Sequence, residues 1–217
     1  MVFCFVITFS FCVTVVKGAA KFNNAIFGKT IYVDAGHGGK DNGTSFDGVL
    51  EDEINLKITG FVIQYLIDLG GYVLTTRTGD YDLSQIYDKN KKRNDLINRV
   101  KKINESKADL FVSIHLNSYP SSSVKGAQVF SQNNQKSKEL AKSIQDKLNL
   151  LIDKDKKVKN GDYYILNKTS RVGVLIECGF LSNQEERELL MLESYQQKIA
   201  RRIVEGIVDY FKIWVSW

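Results

Sequence analysis

Ala108-Asp-Leu-Phe-Val-Ser-Ile-His-Leu-Asn117 is the stretch whose reading decides the fold. Leu110 to Ile114 is an apolar, partly β-branched run, too short for a buried helix, and it reads as a buried strand with His115 and Asn117 at its C-terminal end. The same pattern occurs earlier, in Ile31-Tyr-Val-Asp-Ala-Gly-His-Gly-Gly39, where a short strand breaks into glycines around His37. These are the 2 histidines of the chain. Open α/β sheets bind ligands outside the carboxyl ends of their strands. Two histidines delivered there by separate strands therefore predict a metal site.

Outward from these two strands, the chain alternates strands and amphipathic helices. Thr30 to Asp34 is the first strand. Ile54, Ile58, Phe61, Val62, Tyr65, Leu66 and Leu69 keep a 3.6-residue period, and Gly70-Gly71 closes that helix. Gly71 to Thr76 is the next strand, completing the strand–helix–strand unit of a parallel sheet. Asp88 to Asn94 reads as a surface connection, and Leu96, Val100 and Ile103 mark a helix leading to the His115 strand. Then follow a strand at Ala127 to Phe130 and a helix carrying Leu140, Ile144, Leu148 and Leu151. Lys154 to Lys159 reads as a solvated loop, Tyr163 to Leu166 as a short strand, Val172 to Phe180 as the last strand, and Tyr195 to Phe211 as a closing helix. The expectation is an α/β three-layer sandwich: a mostly parallel central sheet with helices on both faces, in one domain over residues 29–213.

Composition agrees with a globular domain. The chain has 217 residues, 43% hydrophobic and 25% charged, with a formal net charge of +5. No basic stripe interleaved with aromatics is present, which argues against nucleic acid as a partner. Met1 to Val16 is almost wholly apolar and precedes Gly18-Ala19-Ala20, so residues 1–20 are expected to be a signal peptide, or else an uncleaved membrane anchor. Either one places the domain outside the cytoplasm. Of the 3 cysteines, Cys4 and Cys12 fall in this leader and Cys178 in the domain, which leaves no internal disulfide.

Glu177 is the odd residue of the last strand. A carboxylate at the end of an apolar run is costly unless paired or bound to metal, so it is a functional candidate against the plainer reading of a salt-bridged structural acid. Glu51, Asp52 and Glu53 stand where the first helix begins, and acids there also simply complement the helix dipole. Two histidines and one carboxylate match the ligand count of a catalytic zinc, and a second, unligated carboxylate can then act as general base and acid.

Five separated motifs resemble those of the zinc-dependent N-acetylmuramoyl-L-alanine amidases of bacterial cell walls. They are Asp34-Ala-Gly-His-Gly-Gly-Lys-Asp41, Glu51-Asp-Glu-Ile-Asn-Leu56, Thr76-Arg77 with Asp80, Ala108 to Asn117, and Leu175-Ile-Glu-Cys-Gly-Phe-Leu-Ser-Asn183. The resemblance implies that His37, Glu51 and His115 bind one Zn2+ and that Glu177 is the acid/base. It leaves Asp52 and Glu53 as dipole partners. Ala35 and Val172 stand where the family commonly has proline. Ser113-Ile-His-Leu-Asn-Ser118, Gly126-Ala-Gln-Val-Phe130 and Ser194-Tyr-Gln-Gln-Lys198 look most like the sporulation-specific members of Firmicutes, which act in spore cortex maturation before muramic-δ-lactam formation and hence in germination.

The implied substrate is peptidoglycan, cut between N-acetylmuramic acid and L-alanine. No separate wall-binding segment is legible, so location rests on the leader, on a protein partner or activator, or on substrate affinity. Two readings compete: another cell-wall zinc hydrolase (peptidase or deacetylase), and a non-enzymatic wall-binding zinc protein. Cys178 is not counted as a ligand, because strand alternation turns it away from the Glu177 face.

Overall fold

Residues 25–152 and 155–215 are described by the computed structural model. The predicted leader, residues 1–20, lies outside the described residues with Cys4 and Cys12, and so does Lys154. Among the described residues, no helix is long and apolar enough to cross a membrane.

In chain order the elements are β1 (Thr30–Ala35), β2 (Ser45–Phe46), β3 (Val49–Leu50), α1 (Glu51–Asp68), β4 (Tyr72–Thr75), α2 (Lys91–Glu105), β5 (Leu110–Asn117), β6 (Gln128–Ser131), α3 (Gln135–Leu148), β7 (Lys159–Asn160), α4 (Tyr164–Lys168), β8 (Val172–Phe180), α5 (Gln184–Met191) and α6 (Glu193–Val215). The main sheet runs β4-β1-β5-β8-β6-β7. β4, β1, β5 and β8 are mutually parallel, while β6 is antiparallel to β8 and carries β7 parallel at the edge. This is the mostly parallel α/β sandwich that the strand–helix alternation implies.

Two-residue alternation along the strands divides the core into two layers. Ile31 and Val33, Leu110, Val112, Ile114 and Leu116, and Val174, Ile176 and Cys178 pack with residues of α1, α3 and α6. Tyr32, Phe111 and Leu175 point the other way and pack with Val100 and Ile103 of α2 and Ile165 and Leu166 of α4. Continuing that second face by steps of two leads to Asp34, to Ser113 and His115, and to Glu177. The same pleat that fills the thinner hydrophobic layer therefore delivers the polar residues to one place above it.

Two expectations need correction. Tyr163 to Leu166 is not a strand: Tyr163 precedes the one-turn helix α4, whose Ile165 and Leu166 are buried. Periodicity cannot tell a four-residue apolar run in a strand from one turn of buried helix. The polar segment Asp88 to Asn94 is only partly a connection, since α2 starts at Lys91 with the Asn90 side chain accepting the Arg93 N–H. The reading also passed over α5, whose signal is the pair Asn183 and Glu186: the Asn183 side chain accepts the Glu186 N–H in an N-cap.

The larger layer closes by a tight crossing of α3 and α6. A Cβ placed on Gly206 would stand 2.5 Å from the Ile144 Cα and 2.9 Å from the Ile144 N. Backbone cannot move aside as a side-chain end can. Gly206→Ala should therefore destabilise the fold by about 1–3 kcal/mol of overpacking, against a helix-propensity gain of about 1 kcal/mol. Urea unfolding should show a lower midpoint; a raised midpoint would mean that the two helices can part freely.

Candidate metal centre and its cavity

The site begins with backbone. β1 ends at Ala35, and the chain turns out of the sheet through Gly36 and His37. A Cβ on Gly36 would lie 2.2 Å from the His115 ring, so only glycine lets that imidazole pack over the turn. His37 itself has φ 61°, uncommon for a residue with a side chain. Two buried arginines hold this conformation by the carbonyls. Arg77 donates to Ala35 O at 3.1 Å, to Gly36 O at 3.0 Å and to Asp52 O at 2.8 Å. Arg99 donates to Ala35 O at 2.6 Å and to His37 O at 2.5 Å, and pairs with Asp34 at 2.8 Å and Asp95 at 2.7 Å. Burial pushes the Asp34 carboxyl up, but the Arg99 guanidinium and the Ser113 hydroxyl outweigh it and hold it below its ordinary range. The sequence reading noted Arg77 through its motif and missed Arg99, Asp95 and Tyr163. Nothing local marks Arg99, which looks like one more helix-surface charge until α2 is packed on the sheet.

Upon this frame the structure brings together His37, Glu51 and His115. One atom from each lies within 4.8 Å of the others. The His37 Nε2 is 3.2 Å and the His115 Nδ1 3.0 Å from the same oxygen, Glu51 Oε1. The imidazole rings meet edge to face with centroids 5.0 Å apart. Glu51 opens α1 and is fixed by the Leu116 N–H to Oε1 at 3.1 Å and the Thr44 N–H to Oε2 at 2.7 Å. Gly43 makes room, since a Cβ there would be 2.4 Å from Glu51 Oε2. The other ring nitrogen of His37 contacts Asp41 Oδ2 at 2.9 Å. With a cation between Nε2 and Glu51, a proton on Nδ1 donated to Asp41 would leave the Nε2 lone pair free to bind that cation. Burial would lower the His37 pKa, but the Glu51 and Asp41 carboxylates raise it to about 8. Burial likewise favours neutral Glu51, and the two imidazoles overcome this and hold it well below the usual carboxylate range. Three donors, two nitrogens and one oxygen, thus converge on a common point.

Glu177 stands beside them, in register with His115 across β5 and β8. It is buried, with no cation paired to it among the described residues. Its Oε1 accepts the Tyr163 hydroxyl at 3.2 Å, while Oε2 has no partner. Burial raises its pKa, His115 partly opposes this, and the Glu51 charge adds to it. These residues line a cavity of about 410 Å³ that also holds Lys92, Asn117 and Tyr164. Asp52 and Glu53 are outside the cluster, and Cys178 is buried in the layer on the opposite face. A polarising cation at the three donors, with a separate carboxylate able to move a proton, is the equipment for hydrolysing a carbonyl compound.

The family model described as N-acetylmuramoyl-L-alanine amidase matches residues 31–209. The germination-specific N-acetylmuramoyl-L-alanine amidase of Bacillus subtilis is 42% identical over 190 residues, 85% of this chain and 80% of that protein. The fold is similar to that of the CwlD amidase from Clostridioides difficile, solved in complex with the GerS lipoprotein, with TM-score 0.82, 41% identity and coverage of 85% of this chain and 99% of that one. It is also similar to an N-acetylmuramoyl-L-alanine amidase from Clostridium difficile 630, with TM-score 0.77, 30% identity and coverage of 85% and 97%.

Two stability experiments test the frame. Arg99→Met strands the Asp34 and Asp95 charges and should cost about 3–5 kcal/mol in chemical unfolding; a loss below about 1 kcal/mol would show that Arg99 does not carry the turn. Ser113→Ala removes a hydrogen bond to Asp34, worth about 1.5–3 kcal/mol for a charged acceptor. Because the folded Asp34 pKa is depressed, that contribution is complete above the ordinary aspartate value and fades as pH falls below about 4. The deficit of the variant should therefore shrink in acid; a deficit constant from pH 7 to pH 3 would place the effect elsewhere.

Proposed function

Because the chain belongs to the N-acetylmuramoyl-L-alanine amidase family, we propose that His37, Glu51 and His115 hold one Zn2+ and that Glu177 is the acid/base of its amide hydrolysis. The enzyme hydrolyses the bond between the lactyl carbonyl of N-acetylmuramic acid and the L-alanine of the stem peptide. The observation that carries the site assignment is the convergence of three donors beside a buried carboxylate with an unpartnered oxygen. The donor set fits the ion. Tetrahedral ligands about 2.0–2.1 Å from zinc lie roughly 3.3 Å from one another, and the two histidine nitrogens are 3.2 and 3.0 Å from Glu51 Oε1.

When bound, zinc supplies Lewis acidity, which polarises the scissile carbonyl and acidifies water. The protein does the rest. Glu177 takes a proton from the attacking water as its oxygen bonds to the lactyl carbon. It then returns that proton to the alanine nitrogen as the C–N bond breaks, leaving a carboxylic acid on the glycan and a free amine on the peptide. Asp41 fixes the His37 tautomer, and the Leu116 and Thr44 N–H groups fix the Glu51 carboxylate. All three contacts are of the kind that governs metal affinity.

A role in spore cortex maturation, and hence germination, is the finer proposal, and the germination-specific relative supports it. The site of action is extracytoplasmic, where the substrate is. A protein partner is proposed on the likeness to the CwlD amidase in complex with the GerS lipoprotein.

Mass spectrometry of peptidoglycan fragments treated with the zinc-loaded protein should reveal stem peptides beginning at L-alanine together with peptide-free glycans. Cleavage at another bond would replace the amidase reading with that of a different wall hydrolase. Glu177→Gln should keep one zinc per chain while hydrolysis falls at least about 100-fold, and His115→Ala should lose the metal. Zinc lost from Glu177→Gln, or retained at one per chain in His115→Ala, would refute the assignments.

A further inference from the structure

We propose that Tyr163 is a positioning residue for Glu177: its hydroxyl holds Oε1 and so leaves Oε2 as the oxygen that exchanges the proton. This rests on Glu177 being the acid/base.

The two oxygens of the Glu177 carboxylate are not equivalent. Oε1 accepts the Tyr163 hydroxyl at 3.2 Å, whereas Oε2 is buried without a hydrogen-bond partner among the described residues. A buried carboxylate oxygen left without a donor calls for an explanation, and Glu177 lines the cavity with His37, Glu51 and His115, where a proton to be received supplies one. A carboxylate on a free χ3 torsion would offer either oxygen, since rotation about that bond is broad and roughly two-fold. The phenol breaks the symmetry.

Tyr163 is itself held for this task. Its ring meets the Phe130 ring edge to face, with centroids 5.1 Å apart and planes at 67°. Phe130 comes from β6, which pairs with β8 two residues before Glu177: Phe130 opposes Leu175, and Gln128 opposes Glu177. The ring support and the carboxylate therefore share one hydrogen-bonded ladder. Gly161 lets the ring close in, because a Cβ there would stand 2.6 Å from the Tyr163 Cδ2 and 2.9 Å from the Phe130 Cβ. From the end of β7 to the start of α4, the chain is laid so that one hydroxyl meets one carboxylate oxygen. The hydroxyl stays a donor throughout, since burial and the neighbouring Glu177 charge keep the phenol protonated.

The orienting bond acts on the chemical step more than on substrate capture. Tyr163→Phe keeps the ring, its stacking and the fold, and removes only the hydroxyl. With the zinc-loaded protein and a purified uncrosslinked muropeptide, kcat should fall about tenfold, a modest share of the roughly 100-fold that a misplaced catalytic group can cost. KM should stay within about twofold, zinc content should match the parent, and circular dichroism should show the parent fold. Gly161→Ala, which pushes the ring away, should lower kcat in the parent and add little in the Tyr163→Phe background, as two changes that break the same contact do. If Tyr163→Phe retains kcat within about twofold while Glu177→Gln is inactive, the hydroxyl does not position the base and the inference fails alone. A fall in kcat matched by lost zinc or by loss of the native circular-dichroism signal would also overturn it, as the mark of a structural role. If Glu177→Gln is as active as the parent, the acid/base assignment fails first, and this inference with it.

Discussion

Everything in the site depends on how three carbonyl oxygens are satisfied. Where β1 leaves the sheet, Ala35, Gly36 and His37 lose the ladder that would pair their C=O groups, and unpaired buried carbonyls are costly. Arg77 and Arg99 meet them with a set of fixed N–H directions that no ammonium could reproduce. The left-handed backbone of His37 persists only because this bonding over-determines it. The Asp34–Arg99–Asp95 cluster answers the charge of one guanidinium, and Ser113 closes the remaining side of Asp34. A buried ion pair is weak evidence of stability in itself. Here its geometric yield is plain: it sets the direction in which the His37 imidazole leaves the chain.

Much of this arrangement was legible in the sequence, and its limits have a physical pattern. Strand ends and their alternation are local, so His37, His115 and Glu177 could be assigned to one edge of the sheet from β1, β5 and β8 alone. The two-residue period also told Glu177 from Cys178, and the structure buries the cysteine in the opposite layer. Choosing Glu51 over its acidic neighbours needed the family resemblance. In space the choice comes from the Leu116 and Thr44 amides, which no periodicity encodes. Arg99 was illegible for the same reason: its partners Asp34 and His37 are more than sixty residues away in the chain. Tyr163 was misread because its neighbours form a single helical turn, too short to show a period. The leader lies outside the described residues, so its reading still rests on composition.

The two carboxylates of the cavity lie in environments that suit the two roles proposed for them, ligand for Glu51 and base for Glu177. Both are buried, and burial alone would make both prefer a proton. Glu51 escapes because two imidazoles and two backbone N–H groups surround it, which keeps it anionic and fit to hold a cation. Glu177 has a single neutral donor, Tyr163, and feels the charge of Glu51 besides, so its affinity for a proton rises. Divergent environments of this kind separate the roles of paired acids in many active sites. A cation at the three donors would pull Glu177 back down. Burial would then keep the proposed base, Glu177, from becoming too weak to accept a proton, and the sheet supplies that burial by the same pleat that seats Leu175 in the hydrophobic layer beneath.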